Sequence, residues 1–302
     1  MKTKPKQNLL AAALVCALGA TTTYAQSDSP YYRRLTLAPA DEPAGGGGGG
    51  QAKEGEAKGG LSEEELAKIA QNPVANLISV PFQNNFNFGI GPNHDAMLYN
   101  LNIQPVIPVS LSKDWNLIAR TIIPILSLNG PGVPSVSGLG DITEELFFSP
   151  AGGSKKFIWG VGPVFTFPTA TDARLGTSMY SAGPGLVALT MQGHWVVGAV
   201  LNNQWSYAGW GSQDVNALTL QYFINYNISH GWYVVTAPIL TANWKASNDN
   251  RWTLPAGGGI GKLQKFGKVP VNFNLAAYWN AITPVDGASW QLRFQMTFMF
   301  PK

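Results

Sequence analysis

Residues 289–300 read Ser-Trp-Gln-Leu-Arg-Phe-Gln-Met-Thr-Phe-Met-Phe. Trp290, Leu292, Phe294, Met296, Phe298 and Phe300 share one parity, and Ser289, Gln291, Arg293, Gln295 and Thr297 share the other. A strand sends alternate side chains to opposite faces, so this stretch has one apolar face and one polar face. A soluble sandwich would bury the apolar row in a core, but only Pro301 and Lys302 follow it. Lipid is the cover that needs no further chain. A strand persists in a bilayer only when every backbone group is paired around a closed sheet, so the stretch predicts many similar strands upstream.

They follow from residue 76 onward. Period-two segments fall at about 76–88, 99–109, 115–125, 139–148, 157–167, 180–191, 195–207, 218–228, 232–244, 252–262, 269–279 and 289–300. The expected fold is all-β: a closed antiparallel transmembrane β-barrel of about 12 strands, an even number as single-chain outer-membrane barrels have. If the N-terminus is periplasmic, the longer connections (near residues 89–96, 128–138, 168–179, 209–214, 245–251 and 283–288) face outward and the shorter ones face the periplasm. Trp115, Trp159, Trp195 and Trp232 then lie near the periplasmic ends, and Trp205, Trp244, Trp252, Trp279 and Trp290 near the outer rim, giving two aromatic girdles. Two features strain the pattern. Glu144 falls on the lipid-facing parity, and Pro81, Pro105, Pro124, Pro163, Pro184 and Pro238 lie inside strands, where a missing ladder donor predicts bulges.

The N-terminal region has three parts. Lys2, Lys4 and Lys6, an apolar run from Leu9 to Ala20, and Thr23-Tyr24-Ala25 make residues 1–25 a secretory signal peptide, too short in its apolar part to span a membrane. Residues 26–61, with Gly45 to Gly50 unbroken, form a disordered Gly-rich linker. Residues 62–75 hold one short helix, opened by the capping-box pattern Ser62-Glu63-Glu64-Glu65 and stopped by Asn72-Pro73. It reads either as a tethered periplasmic helix or as a plug of the lumen, and the arm reaching a periplasmic partner is a further expectation. The barrel takes residues 76–302.

Charge excludes other classes. The three signal lysines account for the formal charge of +3, leaving 17 basic residues against 17 acidic ones, so no basic surface suggests a nucleic-acid partner. Charged residues make up 12% of the chain, half the usual quarter of a soluble domain. Cys16 lies in the signal, and His94, His194 and His230 are scattered, so neither a metal nor another cofactor is expected. Gly257-Gly258-Gly259-Ile260-Gly261-Lys262 lacks the spacing and the Ser/Thr of a phosphate loop.

Several runs resemble a bacterial envelope family named for the meta-pathway of phenol degradation. They are Leu66-Ala67-Lys68, the stretch Asn72-Pro73-Val74-Ala75-Asn76-Leu77-Ile78-Ser79-Val80-Pro81-Phe82-Gln83-Asn84-Asn85, Gly138-Leu139-Gly140-Asp141-Ile142 and Trp290-Gln291-Leu292-Arg293-Phe294-Gln295. The resemblance spans about residues 62–302. It implies an outer-membrane barrel that passes small hydrophobic or aromatic molecules, and it brings no catalytic or binding residues. Glu144-Glu145 departs from the family's uncharged strand.

The candidate functional residues are those expected to line the lumen: Arg120, Asp141, Glu145 and Arg293 among the charged ones, and Gln204, Gln221, Asn225, Asn272, Asn274 and Gln295 among the amides. Arg120 and Glu145 fall at comparable depth on adjacent strands, which predicts an ion pair. Gly160, Gly162, Gly183, Gly185, Gly198, Gly257, Gly259 and Gly261 share the inward parity, predicting either a hollow or kinks that let a small barrel curve. The functional expectation is diffusive transport of a small solute through a barrel in the outer-membrane lipid of a Gram-negative bacterium. The alternatives are a structural or binding barrel and a barrel lipid hydrolase. The hydrolase would need a serine, a histidine and an orienting group together, which neither Ser229-His230 nor His94-Asp95 supplies.

Overall fold

The computed structural model describes residues 67–68, 70–74, 77–151, 157–267 and 269–300. The expected signal peptide, the linker and the start of the short helix lie outside the described residues. Fifteen segments form one antiparallel sheet: β1 (Ile78–Ile90), β2 (Ala96–Ile103), β3 (Val106–Ser110), β4 (Trp115–Asn129), β5 (Val136–Leu139), β6 (Ile142–Pro150), β7 (Phe157–Phe167), β8 (Met179–Gln192), β9 (Trp195–Gly209), β10 (Asn216–Asn227), β11 (Trp232–Thr236), β12 (Ile239–Asn243), β13 (Trp252–Phe266), β14 (Val269–Ile282) and β15 (Trp290–Phe300). Three pairs, β2/β3, β5/β6 and β11/β12, are single wall strands broken once, so the wall has twelve strands. Each wall strand pairs with its sequence neighbours, and β15 closes on β1 from Ile78↔Phe300 to Phe88↔Trp290. The sheet is a closed barrel.

The breaks have a chemical cause. Pro105 and Pro238 carry no N–H and interrupt the ladder between β2 and β3 and between β11 and β12. Neighbouring carbonyls still take the displaced donors: Gln104 N–H bonds Pro81 O at 2.9 Å, Thr121 N–H bonds Pro105 O at 3.1 Å, and Gly140 N–H bonds Pro124 O at 2.9 Å. The other prolines replace the expected bulges with skipped rungs. Pro163 and Pro184 face each other across β7 and β8. Beside them the β6–β7 ladder jumps from Glu145↔Val164 to Phe148↔Val161, and the β8–β9 ladder from Ala182↔Trp205 to Gly185↔Asn202. The register shifts fall between Phe88 and Ile90, between Tyr180 and Ser181, and between Leu254 and Pro255, the last at a proline outside the expected set.

The outer surface is apolar with aromatic rims. Trp115 and Trp159 meet edge to face at 6.0 Å and Trp195 lies 4.8 Å from Tyr226 at one end; at the other, Trp244 and Trp252 meet at 5.4 Å and Phe88 stacks on Trp290 at 4.2 Å across the closing seam. Glu144 does lie on this outer face, where it accepts a 2.6 Å hydrogen bond from the Thr121 hydroxyl on its register partner. One neutral donor makes the misplaced carboxylate tolerable in the wall.

The interior is not uniformly polar. Ile118, Phe147, Val187, Leu189, Val196, Val200, Phe223, Tyr233 and Val235 pack inside as one cluster, and Ile90, Leu98, Leu126, Leu128 and Leu175 form a second one. The bore is thus divided between apolar patches and an amide-rich belt.

Candidate functional site: the barrel lumen

The belt is built by parity. Odd residues of β1, β10 and β15 and even residues of β4 and β14 turn inward, so alternation alone gathers Gln83, Asn85, Arg120, Gln221, Asn225, Asn272, Asn274, Arg293 and Gln295 on the inner wall. Nine of the ten candidate residues face the bore and are buried: Arg120, Glu145, Arg293, Gln204, Gln221, Asn225, Asn272, Asn274 and Gln295. Asp141, the tenth, is buried as well. It sits at the break between β5 and β6, where its carboxylate accepts from Ala170 N–H (3.2 Å), Thr177 N–H (2.6 Å) and the Thr177 hydroxyl (2.9 Å). Those bonds tie down the β7–β8 connection.

A continuous hydrogen-bond chain crosses the wall from β9 to the β11/β12 break. Asn202 Nδ2 donates to Glu145 Oε1 (3.4 Å), and Arg120 Nη1 pairs with Glu145 Oε2 at 3.3 Å. Arg120 Nη2 donates to Gln104 Oε1 (3.2 Å), Gln104 Nε2 to Gln83 Oε1 (2.9 Å), and Gln83 Nε2 to Asn85 Oδ1 (3.0 Å). Arg293 Nε also reaches Asn85 Oδ1, at 3.1 Å, and its Nη1 bonds Ala237 O at 2.9 Å. Ala237 is a residue the ladder leaves over: β11–β13 pairing ends at Val235↔Gly259 and β12–β13 pairing resumes at Thr241↔Thr253. Arg293 takes its carbonyl and Tyr278 Oη accepts from its N–H at 3.3 Å, while the guanidinium lies over the Tyr278 ring at 4.8 Å. All three buried charges have polar partners, as buried charges must.

The bore is occupied from within. Ala67, Lys68 and Ala70 are helical, and Ala67 and Ala70 are buried with Leu77 against Leu263 and Met299 of the inner wall. Asn72 Oδ1 accepts from Val74 N–H, the short-range bond by which asparagine turns a chain, and Val74 enters the apolar cluster of Val106, Ile118 and Phe147. Between them Gln71 and Asn227 exchange two amide hydrogen bonds, Gln71 Nε2 to Asn227 Oδ1 at 2.9 Å and Asn227 Nδ2 to Gln71 Oε1 at 3.1 Å. Gln71 and Asn227 were not among the candidates from the sequence. Asn227 had the inward parity that could have flagged it; Gln71 had no pattern at all.

The inward glycines are not an empty hollow. A Cβ on Gly261 would strike the Tyr233 ring, one on Gly198 would meet Phe223, and those on Gly160 and Gly185 would crowd Phe147. The aromatic rings fill the space the glycines leave. Gly162, Gly183 and Gly259 instead sit against the carbonyls of Leu146, Asn203 and Leu275, so adding bulk there disturbs the wall before it reaches any passage.

A closed barrel of twelve strands with an apolar exterior and an N-terminal segment lodged in its bore is a membrane-barrel architecture. Among solved structures, the chain resembles the COG4313 outer membrane channel from Pseudomonas putida F1, with a TM-score of 0.58 at 16% identity over 74% of this chain and 94% of that one. At that identity the likeness establishes the fold and nothing finer. The CymD monoaromatic hydrocarbon channel (TM-score 0.40, 10% identity, 80% of this chain and 91% of that one) and a Pseudomonas aeruginosa FadL homologue (0.37, 9%, 80% and 94%) are more distant. No protein-family model matches the chain, and no characterised sequence does.

Proposed function

We propose that the chain is an outer-membrane channel for small, apolar or aromatic solutes, held shut at rest by its N-terminal segment. The reading rests on the double amide bond between Gln71 and Asn227 inside the wall. A segment preceding the first strand has no need to enter a bore that serves only as a structural wall. The fold relative is itself an outer membrane channel. An intermediate strand number leaves a narrow bore, suited to small solutes. The mixed lining, with Phe147, Phe223 and Tyr233 beside the amide belt, suits a solute with an apolar body. The family resemblance of the sequence points the same way.

Planar-bilayer conductance of the mature chain, compared with a variant lacking residues 26–72, tests the reading. The expected result is low conductance from the mature chain and a severalfold rise in the truncated form. Equal conductance of the two folded proteins would remove the segment from the gating, and silence from both would remove the channel.

A further inference from the structure

Beside Gln71 the lumen holds a cavity of about 10 Å³, room for about one water, lined by Phe223, Asn225, Tyr233, Val235, Asn272 and Asn274. Its amides are unequally served. Asn272 Oδ1 accepts from the Tyr233 hydroxyl at 3.0 Å. Asn225 Oδ1 and both polar atoms of Asn274 have no hydrogen-bond partner among the described residues, and each residue is only 2% exposed. A buried amide left unpaired is costly, so two of them lining one cavity mark it as a place for a hydrogen-bonding ligand. Asn100, Asn102, Asn202, Gln221 and Gln295 also keep unpaired buried atoms, but Asn225 and Asn274 are the ones that line this cavity.

The group that comes nearest to filling this place is the primary carboxamide of Gln71, which lines the cavity and is held by Asn227. Around it the other surfaces are Phe223, Tyr233, Val235 and Ala237, which offer an apolar body somewhere to pack. We infer that this is a solute-binding site for an uncharged hydrogen-bonding head, an amide or a hydroxyl, carried on an apolar or aromatic body, and that Gln71 is its internal competitor. The solute's head engages Asn225 and Asn274, its body lies against Phe223 and Tyr233, and the Gln71 side chain is displaced from Asn227. A charged head is disfavoured, because the cavity lining contains amides, one hydroxyl and hydrocarbon but no charged side chain. The inference rests on the channel reading above and adds to it the chemical class of the solute and the residues that select it.

The test uses the full mature chain in planar bilayers with three probes of one size: benzamide, which carries the same head as Gln71, toluene, which carries none, and benzoate, which carries a charge. Benzamide is expected to raise the mean conductance saturably, with toluene and benzoate having no saturable effect at equal aqueous concentration. Asn274→Leu together with Asn225→Leu should raise the half-saturating benzamide concentration at least tenfold, and Gln71→Ala should lower it severalfold by removing the competitor. The milder Asn225→Ser, checked for folding by its gel mobility with and without heating, guards against misfolding of the double variant and should shift the response in the same direction as that variant. Equal responses to benzamide and toluene, or a benzamide response untouched by the Asn225 and Asn274 changes, overturn this site while leaving the channel standing. No conductance from any form, including Gln71→Ala, overturns the channel and the site with it.

Discussion

The Arg120–Glu145 pair gives the most direct measure of how the lumen is held together. The two charges sit 3.3 Å apart with side-chain exposures of 2% and 0%. At an effective dielectric of about 20 their attraction is about 5 kcal/mol, against a desolvation penalty of several kcal/mol for each ion, so the pair as a whole is near balance. The effect of breaking it is therefore asymmetric. Glu145→Leu leaves a buried guanidinium with Gln104 as its neighbour along the chain and should destabilise the barrel by about 3–5 kcal/mol. Arg120→Met combined with Glu145→Leu removes both charges and leaves the amides of Gln104 and Asn202 each short of a partner. That double variant should lose about 1–3 kcal/mol, less than the single change. Urea unfolding in detergent micelles, followed by tryptophan emission, yields all four corners of the double-mutant cycle. A single-variant loss under about 1 kcal/mol, the size of an exposed pair, would refute the reasoning, as would a double variant equal to the sum of the singles.

Other substitutions probe separate parts of the wall. Glu144→Val removes a carboxylate from the lipid-facing surface and should stabilise the barrel by about 1 kcal/mol in the same unfolding assay; a loss would place that residue elsewhere than in hydrocarbon. Gly261→Ala should cost about 1–3 kcal/mol by driving a methyl into the Tyr233 ring, and Tyr233→Leu in the same chain should recover part of it. Trp290→Ala removes the stack on Phe88 at the seam and should lower stability by about 0.5–1.5 kcal/mol beyond the lost area, with no shift if the closing strands are held by their ladder alone. In the β7–β8 connection, side-chain hydrogen bonds from Arg174 hold the Asp172 carboxyl below its ordinary range, so its stabilisation is present above the unfolded value near 3.8 and lost as pH falls through the folded one. Asp172→Asn should therefore lower the unfolding midpoint slightly at pH 7, by less than about 1 kcal/mol for so exposed a pair, and leave it unchanged at pH 2.

Alternation made most of the wall readable in advance. The span expected over residues 157–167 coincides with β7, and 289–300 with β15 to within one residue, because each has a strong apolar row and a clear turn on at least one side. The interior apolar patches were not readable. Trp195-Val196-Val197-Gly198-Ala199-Val200-Leu201 is apolar on both parities, and a period of two carries no information where both faces are hydrocarbon. The breaks at Pro105 and Pro238 were signalled by the prolines, but whether such a residue bends, bulges or ends a strand depends on which neighbour it turns its missing donor toward, and that is set by register. Arg120 and Glu145 were placed by parity alone, while the finding that Arg293 serves the carbonyl of Ala237 needed the whole sheet, 56 residues away along the chain. Gln71 lies in a segment too short for any period, and its role exists only once the barrel surrounds it.

The seam between β1 and β15 carries a consequence for how the molecule is made. Ile78 and Phe300 are 222 positions apart, so this ladder is the least local one in the sheet and should zip after the hairpins that join sequence neighbours. Until it does, the wall is a gutter open along one side, and the stretch that leads into β1 can be laid in from the flank. Once the last ladder has formed, that stretch could be installed only by threading it lengthwise. On the channel reading proposed above, the order of closure would leave the molecule stoppered from the start.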